Sequence, residues 1–483
     1  MKVIFVASEV APFVKTGGLA DVTGSLPKAL KHLGHDVRII LPFYKDIAEG
    51  SFEVSGPLLH AEVRLGATAE AGVLRQTSLD GIPVYLIEKD GFFGRDFLYS
   101  TPAGDYRDNP RRFAFFCRGV LEFLKLLNFS PDVFHCHDWQ AACIPILLKN
   151  EAGRDPFFGN SSVLFTIHNL AYQGLFPKES LAEMGFDQTY YSIDCLEYYG
   201  KVNLMKGAIL SADLVNTVSE TYCAEIQTPV QGCGLDGVLK ARRSDLSGIL
   251  NGLDYTEWDP ATDTNLLTPY TASTPEGKQD NKKELQRILG MKQSETSPLL
   301  GIVSRLTAQK GLDLVAKLLP RLAAEEMQLV ILGSGEEKYV RLLQQASGSK
   351  GNNISFNFGF EASLAHKIYA GCDIFLMPSH FEPCGLGQLI ALHYGTVPVV
   401  RKTGGLADTV HDPRDSSEPT GFAFGPYSSS ALWEALTRAV RVWRAKEQWE
   451  TMVRRDMRLD FSWHHSAQKY DDLYHRGIKT KRG

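Results

Sequence analysis

Lys15-Thr16-Gly17-Gly18-Leu19-Ala20-Asp21 follows the apolar run Val3–Val6 and opens a segment with Leu19, Val22, Leu26, Leu30 and Leu33 at helical spacing. The same seven residues return as Lys402-Thr403-Gly404-Gly405-Leu406-Ala407-Asp408, after the apolar run Val397–Val400. A strand, a glycine turn and a helix together aim backbone N–H groups and a positive helix end at an anion. Paired glycines let a phosphate or sugar approach the main chain, which a Cβ would obstruct. Either copy alone reads as a tight turn of an α/β protein. Two identical copies in comparable contexts, one near each end, imply two lobes that address one ligand.

Outward from the first copy, strand and helix patterns alternate. Val3–Ala7, Asp36–Leu41, Asp132–Cys136, Val163–Ile167 and Asp213–Val218 read as strands, and a helix is expected near 110–127. Segments 51–66 and 72–88 alternate apolar and polar residues and are expected to form an antiparallel insertion. Residues 259–281, rich in Thr, Pro and Asp, point to a domain junction near them. The alternation then restarts with strands at Leu299–Ser304, Leu329–Leu332, Asn353–Phe358, Ile374–Met377 and Val397–Val400. The expectation is an α/β protein of two doubly wound, Rossmann-like domains, 1–250 and 251–461, with a C-terminal helix in 462–483 packing back on the first.

With 483 residues, 44% hydrophobic and 22% charged, the chain is long enough for two or three ordinary globular domains. A net charge of −5 without an arginine-rich tract argues against a nucleic-acid binder. Eight cysteines, at 117, 136, 143, 195, 223, 233, 372 and 384, show no C-x-x-C spacing. That pattern implies reduced thiols and a cytoplasmic setting. The opening apolar run is short and interrupted by Glu9, which suits a buried strand rather than a signal peptide. No apolar run is long enough to span a membrane.

Several polar residues fall at strand ends, where open α/β sheets bind ligands. His135 and His137 would share one face of a strand, with Cys136 on the other, a partial zinc pattern that lacks a third ligand. The stronger reading places Asp138 at the carboxyl end of that strand and His168 at the end of the next. Arg305 and Lys310 lie between a strand and a helix and combine a planar fork with a mobile point charge, a pairing suited to a diphosphate. Ser379-His380-Phe381-Glu382-Pro383-Cys384-Gly385-Leu386-Gly387 follows another strand. There the N–H groups of Cys384, Gly385 and Leu386 would face a ligand. Glu382 would bond sugar hydroxyls or offset positive charge on a reacting carbon, or else cap the next helix. No base is placed to activate Cys384 as a nucleophile.

Taken in order, these motifs, with Leu250-Asn251-Gly252-Leu253-Asp254, resemble those of the bacterial glycogen synthase and plant starch synthase family along essentially the whole chain. The resemblance implies a retaining glycosyltransferase of GT-B fold, two Rossmann-like domains facing across a cleft. It further implies ADP-glucose as donor and the non-reducing end of glycogen or another α-1,4-glucan as acceptor, with no nucleic acid or membrane partner. Arg305 and Lys310 would carry the diphosphate, with Lys15, Gly17, Gly18 and Asp21 reaching from the N-terminal lobe. Glu382, Cys384, Gly385 and Leu386 would hold the glucose ring, beside Thr403 and Gly404. His168, Asn251 and Asp138 would fix its 6-hydroxyl and reacting face. Phe360 stands where the family stacks an aromatic ring on adenine, and Ile390 stands where related enzymes often carry a second glutamate. Fixed cations would stabilise the leaving group, so no metal or other cofactor is expected. With no clear carboxylate nucleophile, a front-face route is expected. The rivals are a UDP-glucose or small-acceptor transferase of the same fold, and a non-catalytic glucan-binding protein, in which Arg305, Lys310 or Glu382 would be lost.

Overall fold

Val3, Ile4, Phe5 and Val6 are fully buried because the strand Lys2–Val6 lies inside a nine-stranded sheet. The computed structural model describes residues 1–101, 103–151, 155–347, 353–359 and 361–482. They form two units, Met1–Gly252 with the C-terminal residues from Trp463, and Leu253–Ser462.

In the first unit the strands lie side by side in the order Leu246–Gly248, Leu214–Thr217, Ser162–Ile167, Val133–His137, Lys2–Val6, Asp36–Pro42, Ile82–Glu88, Thr68–Leu79, Leu59–Leu65. The first seven are parallel and the last two antiparallel. The strands from segments 51–66 and 72–88 are paired antiparallel, as expected, but they lie within the main sheet. Ile82–Glu88 is buried over most of its length and joins the parallel set beside Asp36–Pro42, and the other two strands extend the same sheet.

The second unit holds six parallel strands in the order Ile354–Phe358, Gln328–Gly333, Leu299–Val303, Ile374–Met377, Val397–Arg401, Phe422–Phe424. Numbered along the chain, this is 3-2-1-4-5-6, and the parallel strands of the first unit repeat it with a seventh added. Strand order reverses between the first and fourth strands, and ligands of such sheets bind beyond the carboxyl ends at that point.

The boundary between the units falls at Gly252–Leu253, a few residues before 259–281. Residues 259–281 lie in the second unit, where buried Asp263 accepts from Tyr394 Oη (2.8 Å) and pairs with His366 Nδ1 (2.7 Å). Their polar composition reflects side chains that hold irregular backbone, such as Asn281 Nδ2 donating to Thr268 O (2.7 Å). The helix Trp463–Arg482 packs on the first unit: Tyr474 Oη meets His135 Nδ1 at 2.8 Å, and Ser466 Oγ donates to Leu250 O at 2.6 Å. Among the described residues no helix is long and apolar enough to cross a membrane.

Candidate functional site

In the second unit the loops leaving the first and fourth strands carry the charged residues. Lys310 Nζ lies 2.6 Å from Glu382 Oε2, and Ser379 Oγ donates to the same oxygen at 2.9 Å. The two loops are laced together by His380 N donating to Gln309 O (2.7 Å) and Gln309 Nε2 to Phe381 O (3.2 Å). The Glu382 side chain is only 6% exposed, so its charge depends on these partners. Arg305 is exposed and makes no ion pair among the described residues. Ser304 Oγ and Thr307 Oγ1, on either side of it, are shielded and have no partner among the described residues. An exposed cation beside unmet hydroxyls suits an incoming anion.

Cys384 is buried, Gly385 is at φ 75°, and Leu386 caps the helix Gly387–His393. Gln388 Nε2 ties the loop down by donating to Cys384 O (3.1 Å) and Gly385 O (2.9 Å). Phe360 lies outside the described residues.

The two heptapeptides are not in comparable contexts. The first follows strand one of its sheet and opens the helix Gly18–His32; the second follows strand five and opens the short helix Gly404–Thr409. Lys15 pairs with Asp21 inside its own copy (2.5 Å), and burial raises the Asp21 carboxyl above its usual range despite that lysine. Lys402 pairs outside its copy, with Asp415 (2.9 Å). The glycines differ most. A Cβ on Gly404, at φ 45°, would sit 1.9 Å from Glu382 O, while a Cβ on Gly17 or Gly18 would meet nothing within 4 Å. Gly404 and Gly405 therefore pack closely against the Glu382 and Cys384 backbone, next to buried Thr403. The protein's own packing does not require the first pair, which leaves room for a ligand.

This contrast sets an expected result. Gly18→Ala should fold at least as well as the parent, since alanine in a helix is favoured by roughly 0.5–1 kcal/mol, yet kcat/KM should fall about tenfold or more if a ligand approaches there. Gly404→Ala should lose about 2–3 kcal/mol of stability through strain and overlap. Thermal unfolding and steady-state rates on the two variants check this; normal activity in Gly18→Ala would remove Gly18 from the site.

Also in the first unit, Asp138 and His168 end adjacent parallel strands and are joined: Asp138 Oδ1 accepts from His168 N at 2.8 Å. Asp138 takes φ 54°, which turns the chain out of the sheet, and its N–H donates to Thr166 O (3.0 Å). Burial pushes the Asp138 carboxyl up to about 7 and the His168 imidazole down to about 3, so His168 is neutral. His168 Nε2 meets His137 Nδ1 at 3.0 Å, and His137 Nε2, fully buried, has no partner among the described residues. His135 bonds Tyr474 and Thr166 Oγ1 (2.6 Å). The histidine pair is thus part of a buried hydrogen-bond network, and no group of three or more His, Cys, Asp or Glu among the described residues is arranged to hold a metal. Asn251, beyond the seventh strand, is buried with its Oδ1 unmet.

Sequence reasoning missed Glu9. Its carboxylate accepts from Thr16 N (2.5 Å), Thr16 Oγ1 (2.7 Å) and Tyr99 Oη (2.7 Å), and so anchors the loop before Gly17. The signal was present, since a carboxylate in a buried apolar run needs partners. Thr307 gave no such signal, and the contact of His137 with His168, 31 residues on, could not be read from the sequence.

Residues 2–241 match the family described as starch synthase catalytic domain, and 287–456 match glycosyl transferases group 1. The chain is 60% identical over 482 residues to a glycogen synthase of Geotalea uraniireducens, covering all of both chains. It is 46% identical over 487 residues to that of Moorella thermoacetica, covering all of this chain and 98% of the relative. The catalytic domain of starch synthase IV from Arabidopsis thaliana, solved with ADP and acarbose, superposes with a TM-score of 0.92 at 34% identity over 99% of each chain.

Proposed function

The chain belongs to the glycogen synthase and starch synthase family of GT-B glycosyltransferases, and on that premise we propose that it transfers glucose from ADP-glucose to the non-reducing 4-hydroxyl of an α-1,4-glucan with retention of configuration. The observation that carries the chemistry is the meeting of Lys310 and Glu382, with exposed Arg305 nearby in sequence, beyond the first and fourth strands of the second unit. A non-catalytic binding protein has no need of two cations and a buried carboxylate there.

In this reading Arg305 and Lys310 receive the diphosphate, and Lys310 exchanges part of its bond to Glu382 for phosphate oxygen. The bond from glucose C1 to the β-phosphate breaks, its electron pair leaving with ADP. The acceptor 4-oxygen bonds C1 on the same face, and its proton passes to the departing phosphate oxygen. Fixed cations favour this step because they meet charge that grows as the bond breaks. Glu382, with the backbone of Cys384, Gly385 and Leu386, holds the ring and offsets positive charge on C1. In the first unit, Lys15, Gly17, Gly18 and Asp21 are read as donor-binding residues. His168, neutral and fixed by Asp138, serves the sugar together with Asn251. All eight cysteines are free thiols, which supports a reducing, cytoplasmic setting.

The test is a product assay with ADP-glucose and glycogen, following ADP release and α-1,4 chain growth. With a donor panel, ADP-glucose should exceed UDP-glucose by about tenfold or more in kcat/KM, a difference of about 1.4 kcal/mol. Equal rates would overturn the donor assignment and leave the fold untouched.

A further inference from the structure

A hairpin in the first unit carries an aromatic ring for which the fold shows no use. Between the strand Ser162–Ile167 and the helix Leu204–Ser211 the chain builds a small antiparallel sheet from Leu175–Pro177, Lys201–Asn203 and Glu197–Tyr198. The hairpin turns at Tyr199-Gly200, both at positive φ, 47° and 80°. Asparagine followed by glycine fills such a turn with least strain. A bulky side chain at positive φ is rare and costs free energy.

Burial does not offset that cost, because Tyr199 is 86% exposed. Its ring contact among the described residues is Tyr198, edge-on with centroids 4.8 Å apart. Tyr198 is anchored by its Oη donating to Cys233 O (3.3 Å), and Gly200 N donates to Glu197 Oε1 (3.0 Å). Lys206 Nζ clamps the base of the hairpin by donating to Glu197 O and Ile193 O, each at 2.5 Å. The ring is therefore presented on a stiff mount rather than a loose loop, which lowers the ordering cost of binding to it.

We propose that the Tyr198–Tyr199 hairpin is a stacking platform for an α-glucan chain, binding sugars beyond the one that reacts. The inference rests on the glucan-transfer reading above. A pyranose presents apolar C–H faces that lie flat on an aromatic ring, and its hydroxyls need polar surroundings. The hairpin offers both, since Gly200 and Lys201 beside the ring are exposed. The insertion leaves the main sheet at the end of Ser162–Ile167 that carries His168. A polymer whose end reaches that side of the sheet has further sugars to place.

The test uses the full chain with ADP-glucose and two acceptors, glycogen and maltotriose. Tyr199→Asn suits the turn and should keep the melting temperature within about 2 °C, relief of strain offsetting the lost ring contact. It should raise the KM for glycogen about five- to tenfold, the scale of one lost stacking contact, and that for maltotriose by less than about twofold. Tyr199→Trp should retain the glycogen KM. Retardation of the same proteins in native gels containing glycogen reads the platform with no donor present. Unchanged glycogen KM and retardation in Tyr199→Asn would overturn the proposal, as would equal rises for both acceptors or loss of self-association in its place. Absence of transfer by the parent protein to either acceptor would instead overturn the glucan-transfer reading.

Discussion

Arg305→Ala and Lys310→Ala are each expected to lower kcat by about two to three decades, with donor KM changing far less. ADP departs with growing negative charge, and cations held in place beforehand stabilise that charge more than the bound donor. Losing one preorganised group of this kind typically costs about 3–4 kcal/mol of activation energy. Because both cations would serve one diphosphate, the double variant should lose less than the sum of the singles.

The structure adds an asymmetry between the two. Arg305 is exposed, so its loss should leave the melting temperature alone. Lys310 is bonded to a buried carboxylate whose other side-chain partner is the Ser379 hydroxyl. Lys310→Ala should therefore also cost about 1–3 kcal/mol of stability, the penalty for a stranded polar group. Adding Glu382→Gln should restore much of that stability and none of the rate. Raised donor KM with intact kcat in both single variants would mean these side chains only tether the donor.

His168→Ala is expected to lower kcat by about two decades or more, measured well below the unfolding transition. Removing the imidazole also leaves buried His137 without its Nδ1 partner, so the melting temperature should fall modestly, on the scale of about 1–3 kcal/mol. His168→Gln can bond His137 and should recover stability without recovering rate. An imidazole at about pH 3 is neutral across the working range, so the pH profile of kcat should show no limb from it. Its folded value lies below its unfolded one, so it contributes a loss of stability as pH falls from about 6.5 towards 3, a share the alanine variant lacks. A kcat within about threefold of the parent in the folded fraction would make His168 structural.

Much of this molecule is legible in the chain itself. The parallel strands Lys2–Val6, Ser162–Ile167 and Gln328–Gly333 are covered on both faces, so each reads as a continuous apolar run with local turn signals at its end. The same local logic put Asp138, His168, Arg305 and Glu382 at strand ends, because the residue after such a run is where a parallel sheet meets solvent or ligand. The family, too, was readable from motif order and spacing alone.

Tertiary structure decided what depends on residues far apart in the chain. Strand order 3-2-1-4-5-6 brings the loops after strands one and four together, so Lys310 meets a carboxylate 72 residues away. No local pattern encodes that pairing. Identical heptapeptides acquired different work for the same reason. One pair of glycines yields to the Glu382 and Cys384 backbone behind it, while the other has open space. Which neighbours a sheet supplies at each strand end is a property of its topology, and seven residues, however exactly repeated, carry no record of it.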